Sequence, residues 1–245
     1  MSEYDLYVIN LDRSTQRLKD FQESFKNYNV KRISAFDGNK LDSYDNIKLP
    51  SNVIMPIPFY DNSNYKYCYG CSLSHIQGIY EAYKLNKKGI IICEDDMRNL
   101  YENKWNTNLD NIIKNRPKNC ECLTLFCVNE IITEKMINFK ENYVPLIFNK
   151  EGDRNNWHTG ASFYFLDNNG IKKIVEKYIK NNKIDFSFTD ELMIPDYNLI
   201  YTIVNTFHYT KPLFIDSYEE SYCNPKFTKK KLQNKKIIIN YFNNI

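Results

Sequence analysis

The 245-residue sequence predicts an α/β fold with a mostly parallel central sheet and helices on both faces. Three observations lead there. Short runs such as "LYVINL", "GIIIC" and "CLTLFCV" are apolar with little alternation, the pattern of strands covered on both sides. Between them lie segments whose apolar residues recur at helical spacing. The two kinds alternate along the chain, the order of a sheet built from βαβ units.

Taken in order, "EYDLYVINLDRS" opens with a strand over residues 6–11, and Asp12 is placed to cap the helix that follows. In that helix Leu18, Phe21, Phe25 and Tyr28 share one face. "VKRISA" is a second short strand running into an Asp37-Gly38 turn. Residues 40–67, around "LPSNVIMPIPFYDNSN", follow neither period and read as a long irregular loop, and such loops tend to be functional. A helix over 72–85 turns Leu73, Ile76, Tyr80 and Tyr83 inward, followed by a strand over 89–93, a helix around 108–114 and a strand over 122–128. "GASFYFLDNNGIKKIVEKYIKN" gives a strand and then a helix with Ile171, Ile174, Val175 and Tyr178 on one face. "FTDELM" begins a short helix capped by Thr189, and "LIYTIVNTF" is a further strand. The expected organisation is one domain over 1–245, in which 226–245 is a basic and then apolar C-terminal extension.

Composition excludes some functions. With 33 basic and 30 acidic residues the formal charge is +3, too balanced for nucleic acid to be the main partner. No apolar run reaches the length of a bilayer span, and "MSEYDLYVINLD" lacks the basic and then apolar build of a signal segment. The seven cysteines, an odd number, suit reduced thiols better than a disulfide framework, so a cytoplasmic location is expected. "CYGC", with Cys68 and Cys71, has the spacing of a redox or zinc half-site. Its nearest partner pair, Cys120 and Cys122, is separated by one residue where two to four are usual, so these cysteines read as small buried residues.

The chemistry is concentrated in "GIIICEDDM". Glu94, Asp95 and Asp96 crowd three carboxylates at the end of a buried strand, where they repel one another unless a cation shares the site. In a parallel sheet this is also where ligands bind, beyond the carboxyl ends of the strands. Hard oxygen donors select magnesium, manganese or calcium over zinc, and the first two normally share their shell with substrate phosphates. A nucleotide diphosphate is then the natural third party. The alternative is that the acids cap the next helix, whose N-terminal dipole favours negative charge. Arg13 and Arg17, one helical turn apart, can both face a phosphate or base near the end of the first strand, or can be solvated helix surface. Ser74 and His75 in the first turns of a helix, and Trp157, His158 and Thr159 ahead of a strand, complete the candidates.

In their order along the chain, "YVINLDRSTQR" with Phe21, "RISAFDG", "GCSLSHIQGIY", "IIICEDDM", "WHTGASFYFLDNNGIKKIV" and "TDELMIPDYN" resemble glycosyltransferase family 25, the lipooligosaccharide and collagen β-galactosyltransferases. "HYTKPLFIDSYEES" is similar to the collagen-type branch, and the whole resemblance runs over about residues 4–222. It implies a GT-A-like fold, a UDP-hexose donor, and Mn2+ (with Mg2+ the alternative) held by a DxD-type motif. Carried onto this chain, Glu94 and Asp96 would hold the metal, with His208 as a late ligand. Asn10, Arg13, Arg17, Asp95, Trp157 and Thr159 would meet the nucleotide sugar, and Asp190, with Glu191 second, would be the base of an inverting transfer. The acceptor implied is a glycan hydroxyl or hydroxylysine of a collagen-like protein. Two other classes stay open: a UDP-sugar or glycan-binding module without turnover, and a metal-dependent nucleotide-sugar pyrophosphatase. The family's bacterial pattern has a glycine where this chain has Tyr67, three residues before Gly70.

Overall fold

A computed structural model describes residues 2–48, 65–99, 102–105, 107–146, 160–189, 193–217 and 226–244. Its strands in chain order are β1 (Leu6–Asn10), β2 (Val30–Ser34), β3 (Ile47–Lys48), β4 (Gly89–Glu94), β5 (Met97–Asn99), β6 (Cys122–Thr124), β7 (Tyr143–Pro145), β8 (Phe163–Asp167), β9 (Ile179–Lys180), β10 (Lys183–Asp185), β11 (Thr206–Tyr209) and β12 (Phe214–Asp216). The helices are α1 (Thr15–Ser24), α2 (Tyr65–Lys84), α3 (Leu109–Lys114), α4 (Glu130–Met136), α5 (Asn168–Tyr178) and α6 (Lys226–Asn243).

Seven strands form the central sheet in the order β2-β1-β4-β8-β6-β11-β7. β1 pairs in parallel with both β2 and β4, and β6 with β11, while β8 and β7 run against their neighbours. The sheet is therefore mostly parallel, as the apolar runs predict. Successive side chains of β1 go to opposite faces. Leu6 and Val8 join one core with Phe21 of α1 and Phe25 at its C-terminal cap, Leu109, Ile112 and Ile113 of α3, and Ile238 of α6. Tyr7 and Ile9 join the other, with Leu73, Ile76 and Ile79 of α2 and Ile171, Ile174 and Val175 of α5. Both faces are covered, which is why β1 and β4 can be apolar without alternation.

This layering sets the place of the site. From β1 the chain passes through α1 on one face to β2 on one side, then through α2 on the opposite face to β4 on the other side. The order reverses between β1 and β4, so a crevice opens beyond their carboxyl ends, the position where open α/β sheets take ligands. Two glycines let α2 come close enough to line it. A Cβ on Gly38 would sit 2.6 Å from the Lys66 carbonyl oxygen, and one on Gly70 would sit 2.8 Å from that of Phe36. Both contacts are with backbone, which cannot rotate away.

Several local expectations change. Asp12 does not cap α1: Ser14 stands at the N-cap, and Asp12 is drawn to Arg32 and Ser34 of β2 instead. α2 begins at Tyr65, earlier than its apolar period starts, so the irregular stretch ends sooner; residues 49–64 lie outside the described residues. Tyr83 points outward, 44 % exposed, and Ile79 and Ala82 take the inner face. "LIYTIVNTF" is not one strand. Pro195–Tyr201 forms a π-helical turn that buries Leu199, Ile200 and Tyr201, and β11 begins only at Thr206. A short apolar run looks the same in both conformations.

Candidate active site

β1 and β4 deliver the site. Their register pairs Ile9 with Glu94, so Asn10 stands one residue beyond, beside Asp95, where the two strands end. After Glu94 the chain turns through Asp95 and Asp96 directly into β5, which pairs with β12. No helix follows for these acids to cap, so that alternative is closed.

Asn10, Arg17, Asp95 and Asp96 come together. Arg17 Nη2 lies 2.7 Å from Asp95 Oδ1 and 3.3 Å from Asp96 Oδ2. Asn10 Nδ2 donates to Asp95 Oδ2 at 2.7 Å and to the Ser14 carbonyl at 2.9 Å, which ties the end of β1 to both the acid turn and the start of α1. Arg32 of β2 reaches Asn10 Oδ1 at 3.0 Å and fixes the amide's orientation. Arg13 separates from Arg17: its guanidinium is half-exposed and pairs with Asp37.

The cation for which the three carboxylates call is supplied first by the chain itself. Lys231 of α6 places Nζ 2.7 Å from Asp96 Oδ2 and 3.1 Å from Asp216 Oδ2. Burial alone would raise the Asp96 carboxyl, but Lys231 and Arg17 hold it below the usual carboxylate range. Burial, and then the neighbouring Asp96 charge, push Asp216 well above that range, so the pair shares one proton. Asp95 is pushed up to about 6, by burial first, against the pull of Arg17 and Asn10.

Glu94 faces the other way. Its side chain is 30 % exposed, with Oε1 3.7 Å from His75 Nε2 and 3.6 Å from Cys71 Sγ, and Oε2 3.4 Å from Ser162 Oγ. His75 is fully buried, and its Nδ1 meets the Tyr164 hydroxyl at 2.8 Å. Two buried polar atoms here have no hydrogen-bond partner among the described residues, His75 Nε2 and Asp96 Oδ1. Each such orphan costs about 1–3 kcal/mol unless something satisfies it.

His208 is placed elsewhere. It lies on β11, with β8 and β6 between it and β4, and its Nδ1 meets Thr124 Oγ1 at 2.5 Å. Burial lowers its imidazole to about 3, and it lines a small cavity with Cys127, Thr133, Met136 and Ile238. Glu94, Asp96 and His208 thus do not converge as one ligand set. Trp157, Thr159, Asp190 and Glu191 lie outside the described residues, as does His158. Sequence reasoning passed over Lys231, Asp216 and Arg32, and read Cys71 as a small buried residue. Lys231 sits in the run "KKKLQNKK", where nothing marks one lysine from its neighbours. Cys71 and His75 are four apart on one helix, a spacing that could have paired them.

Glycosyltransferase family 25 (LPS biosynthesis protein) matches residues 4–193, which carry β1, β4 and the acid turn. The chain belongs to glycosyltransferase family 25. It is accordingly a transferase that carries a sugar from a donor to an acceptor. No curated protein matches the chain. Among solved structures it is similar to a glycosyltransferase involved in the glycosylation of the major capsid of PBCV-1, at 8 % identity and TM-score 0.44 over 95 % of this chain and 98 % of that one. A protein from STIV is similar at 8 % identity and TM-score 0.40, over 86 % of this chain and 83 % of that one. Among the described residues of this family member, no helix is long and apolar enough to cross a membrane.

A divalent cation of the manganese or magnesium type suits what the turn offers a glycosyltransferase. The donors are hard carboxylate oxygens, and the unpartnered Asp96 Oδ1 is one of them. Asp96 would hold such an ion through Oδ1, joined by Glu94 only if that side chain turned from His75 and Cys71, and the rest of the shell would be left to phosphate.

Proposed function

We propose that this chain transfers a hexose, galactose or glucose, from a UDP-sugar to a hydroxyl on a glycan or on hydroxylysine of a collagen-like protein. The observation that carries the reading is the reversal of strand order between β1 and β4, which sets Asn10, Glu94, Asp95 and Asp96 at one crevice. A diphosphate needs positive charge there, and Arg17 is held at that edge by two carboxylates. Arg17 binds the donor's phosphates while Asp95 and Asn10 fix the guanidinium's plane. Trp157 and Thr159 complete the nucleotide-sugar contacts.

When bound, Mn2+ at Glu94 and Asp96 supplies charge neutralisation for the departing UDP. In the transfer, the acceptor hydroxyl gives its proton to a carboxylate, Asp190 before Glu191, as its oxygen attacks the anomeric carbon. The bond from that carbon to the diphosphate oxygen breaks on the opposite face, and the configuration inverts. The products are UDP and a glycosylated acceptor.

The test is incubation with a panel of UDP-sugars, Mn2+ and glycan or hydroxylysine acceptors, followed by mass spectrometry. UDP and a mass gain of one hexose on the acceptor are expected, both lost in Asp96→Ala. Release of UMP and sugar phosphate would make the chain a pyrophosphatase. Mn2+-dependent UDP binding with no turnover would make it a binding module.

A further inference from the structure

We propose that Cys71, His75 and Glu94 form a site for a zinc-class metal ion, distinct from the acid pair Asp95–Asp96. Among the described residues these three are the one set of His, Cys, Asp or Glu side chains whose ligand atoms all lie within 4.8 Å of one another. Two of the separations are 3.6 Å, Cys71 Sγ to Glu94 Oε1, and 3.7 Å, His75 Nε2 to Glu94 Oε1. Ligands on a tetrahedral ion with bonds of about 2.0–2.3 Å stand roughly 3.3–3.7 Å apart. Both measured separations therefore already lie at ligand spacing, and the third is within 4.8 Å.

The backbone explains why they meet. Cys71 and His75 are four residues apart on α2, so both project from one face of the helix. That face lies against the end of β4, where Glu94 turns out of the sheet. His75 supplies the second, independent observation. It is fully buried, and its Nε2 is aimed at Glu94 with no hydrogen-bond partner among the described residues, at a distance too long for a direct bond. Its Nδ1 is engaged by the Tyr164 hydroxyl at 2.8 Å, the arrangement that fixes a ligating imidazole's orientation and leaves Nε2 for the metal.

The donor set decides the metal. One thiolate, one imidazole and one carboxylate favour a borderline-soft ion such as Zn2+ over Mg2+ or Ca2+. Binding replaces the Cys71 S–H bond with a sulfur–metal bond and releases that proton to solvent. With three protein ligands the fourth position stays open to water or to an oxygen of the substrate. The ion would pin α2 to the carboxyl end of β4 and set the direction of Glu94. The site shares Glu94 with the proposed donor site but does not rest on the transfer reading.

Metal-stripped full chain titrated with Co2+, in the absence of any nucleotide sugar, is the test. One equivalent should produce a thiolate-to-cobalt charge-transfer band and intense visible bands, and one equivalent of Zn2+ should abolish them. Cys71→Ser should remove the charge-transfer band and weaken binding at least tenfold, with Cys68→Ser unchanged. Because His75 is buried and its replacement could unfold the chain, the unmodified protein gives a second readout: Zn2+ should protect Cys71 from alkylation, mapped by mass spectrometry. Absence of the band, its persistence in Cys71→Ser, or alkylation of Cys71 indifferent to Zn2+ would overturn the site. None of these results bears on whether the chain transfers a sugar.

Discussion

Lys231 Nζ lies 2.7 Å from Asp96 Oδ2, although 135 residues separate the two in sequence. The C-terminal helix is thereby tied to the acid turn by a buried ion pair, with Asp216 as a third member. Breaking such a pair from one side leaves a buried charge uncompensated and costs about 3–5 kcal/mol. Lys231→Met should therefore destabilise the protein by about 3 kcal/mol in urea unfolding. Adding Asp96→Asn to it should recover part of that loss, since the neutral amide no longer needs a counter-ion. A double-mutant cycle with additive losses would show that the contact carries no energy.

Arg17 and Arg13 face different tasks. Arg17 grips two carboxylates at the crevice, whereas Arg13 pairs with Asp37 from a half-exposed position. Arg17→Ala should lower kcat/KM for the donor at least tenfold, and Arg17→Lys should restore only part of it, because an ammonium cannot span two acids as a planar fork does. Arg13→Ala should change the same ratio less than twofold and stability by less than about 0.5 kcal/mol, as exposed pairs do. Equal effects of the two substitutions would contradict the separation seen at the end of β1.

The parts of this that were legible in the sequence are those with a local period. Ile171, Ile174, Val175 and Tyr178 are all buried on α5, and Gly89–Glu94 is a strand buried up to its last residue. Arg17, Asp95 and Asp96 could be placed near one sheet edge because strand ends and helix faces follow from spacing, whereas Asn10 joined them only through the family resemblance. Direction is a different matter. β8 is apolar throughout, like a parallel strand, yet runs antiparallel to β4 and β6, because covering both faces requires apolar residues whichever way the chain runs. Contacts between distant segments were not legible either. Nothing local connects a lysine in a basic run to the acid turn, or tells His208 apart as a residue that faces Thr124 on the neighbouring strand, with two strands between it and β4.

The Asp95 carboxyl, raised to about 6 by burial, fixes the sign of one pH effect. Between the ordinary aspartate value of about 3.9 and pH 6 the folded chain keeps this proton and the unfolded chain does not. Folding is then favoured at the acid end of the window, and stability falls as pH rises through it, by up to about 1.4 kcal/mol per pH unit. Asp95→Asn removes that contribution. Unfolding free energies at pH 4.5 and 5.5 should show a more positive pH slope in the variant than in the unsubstituted chain; parallel slopes would mean that Asp95 titrates normally.

His208 acts in the opposite sense. Burial lowers its imidazole from about 6.5 to about 3, so between these values the unfolded chain binds a proton that the folded chain refuses. The stability this residue protects is complete above pH 6.5 and is lost as pH falls below it, again by up to about 1.4 kcal/mol per unit. Over pH 4–6 His208 and Asp95 therefore oppose each other, and their contributions largely cancel in the unsubstituted chain. His208→Gln keeps a polar group beside Thr124 while removing the titration. Its unfolding free energy should rise as pH is lowered from 6 to 4.5, relative to the unsubstituted chain, and the double variant with Asp95→Asn should return to the original slope. A His208→Gln profile that runs parallel to the unsubstituted one would mean that the imidazole takes up its proton inside the fold, against the burial that disfavours its charge.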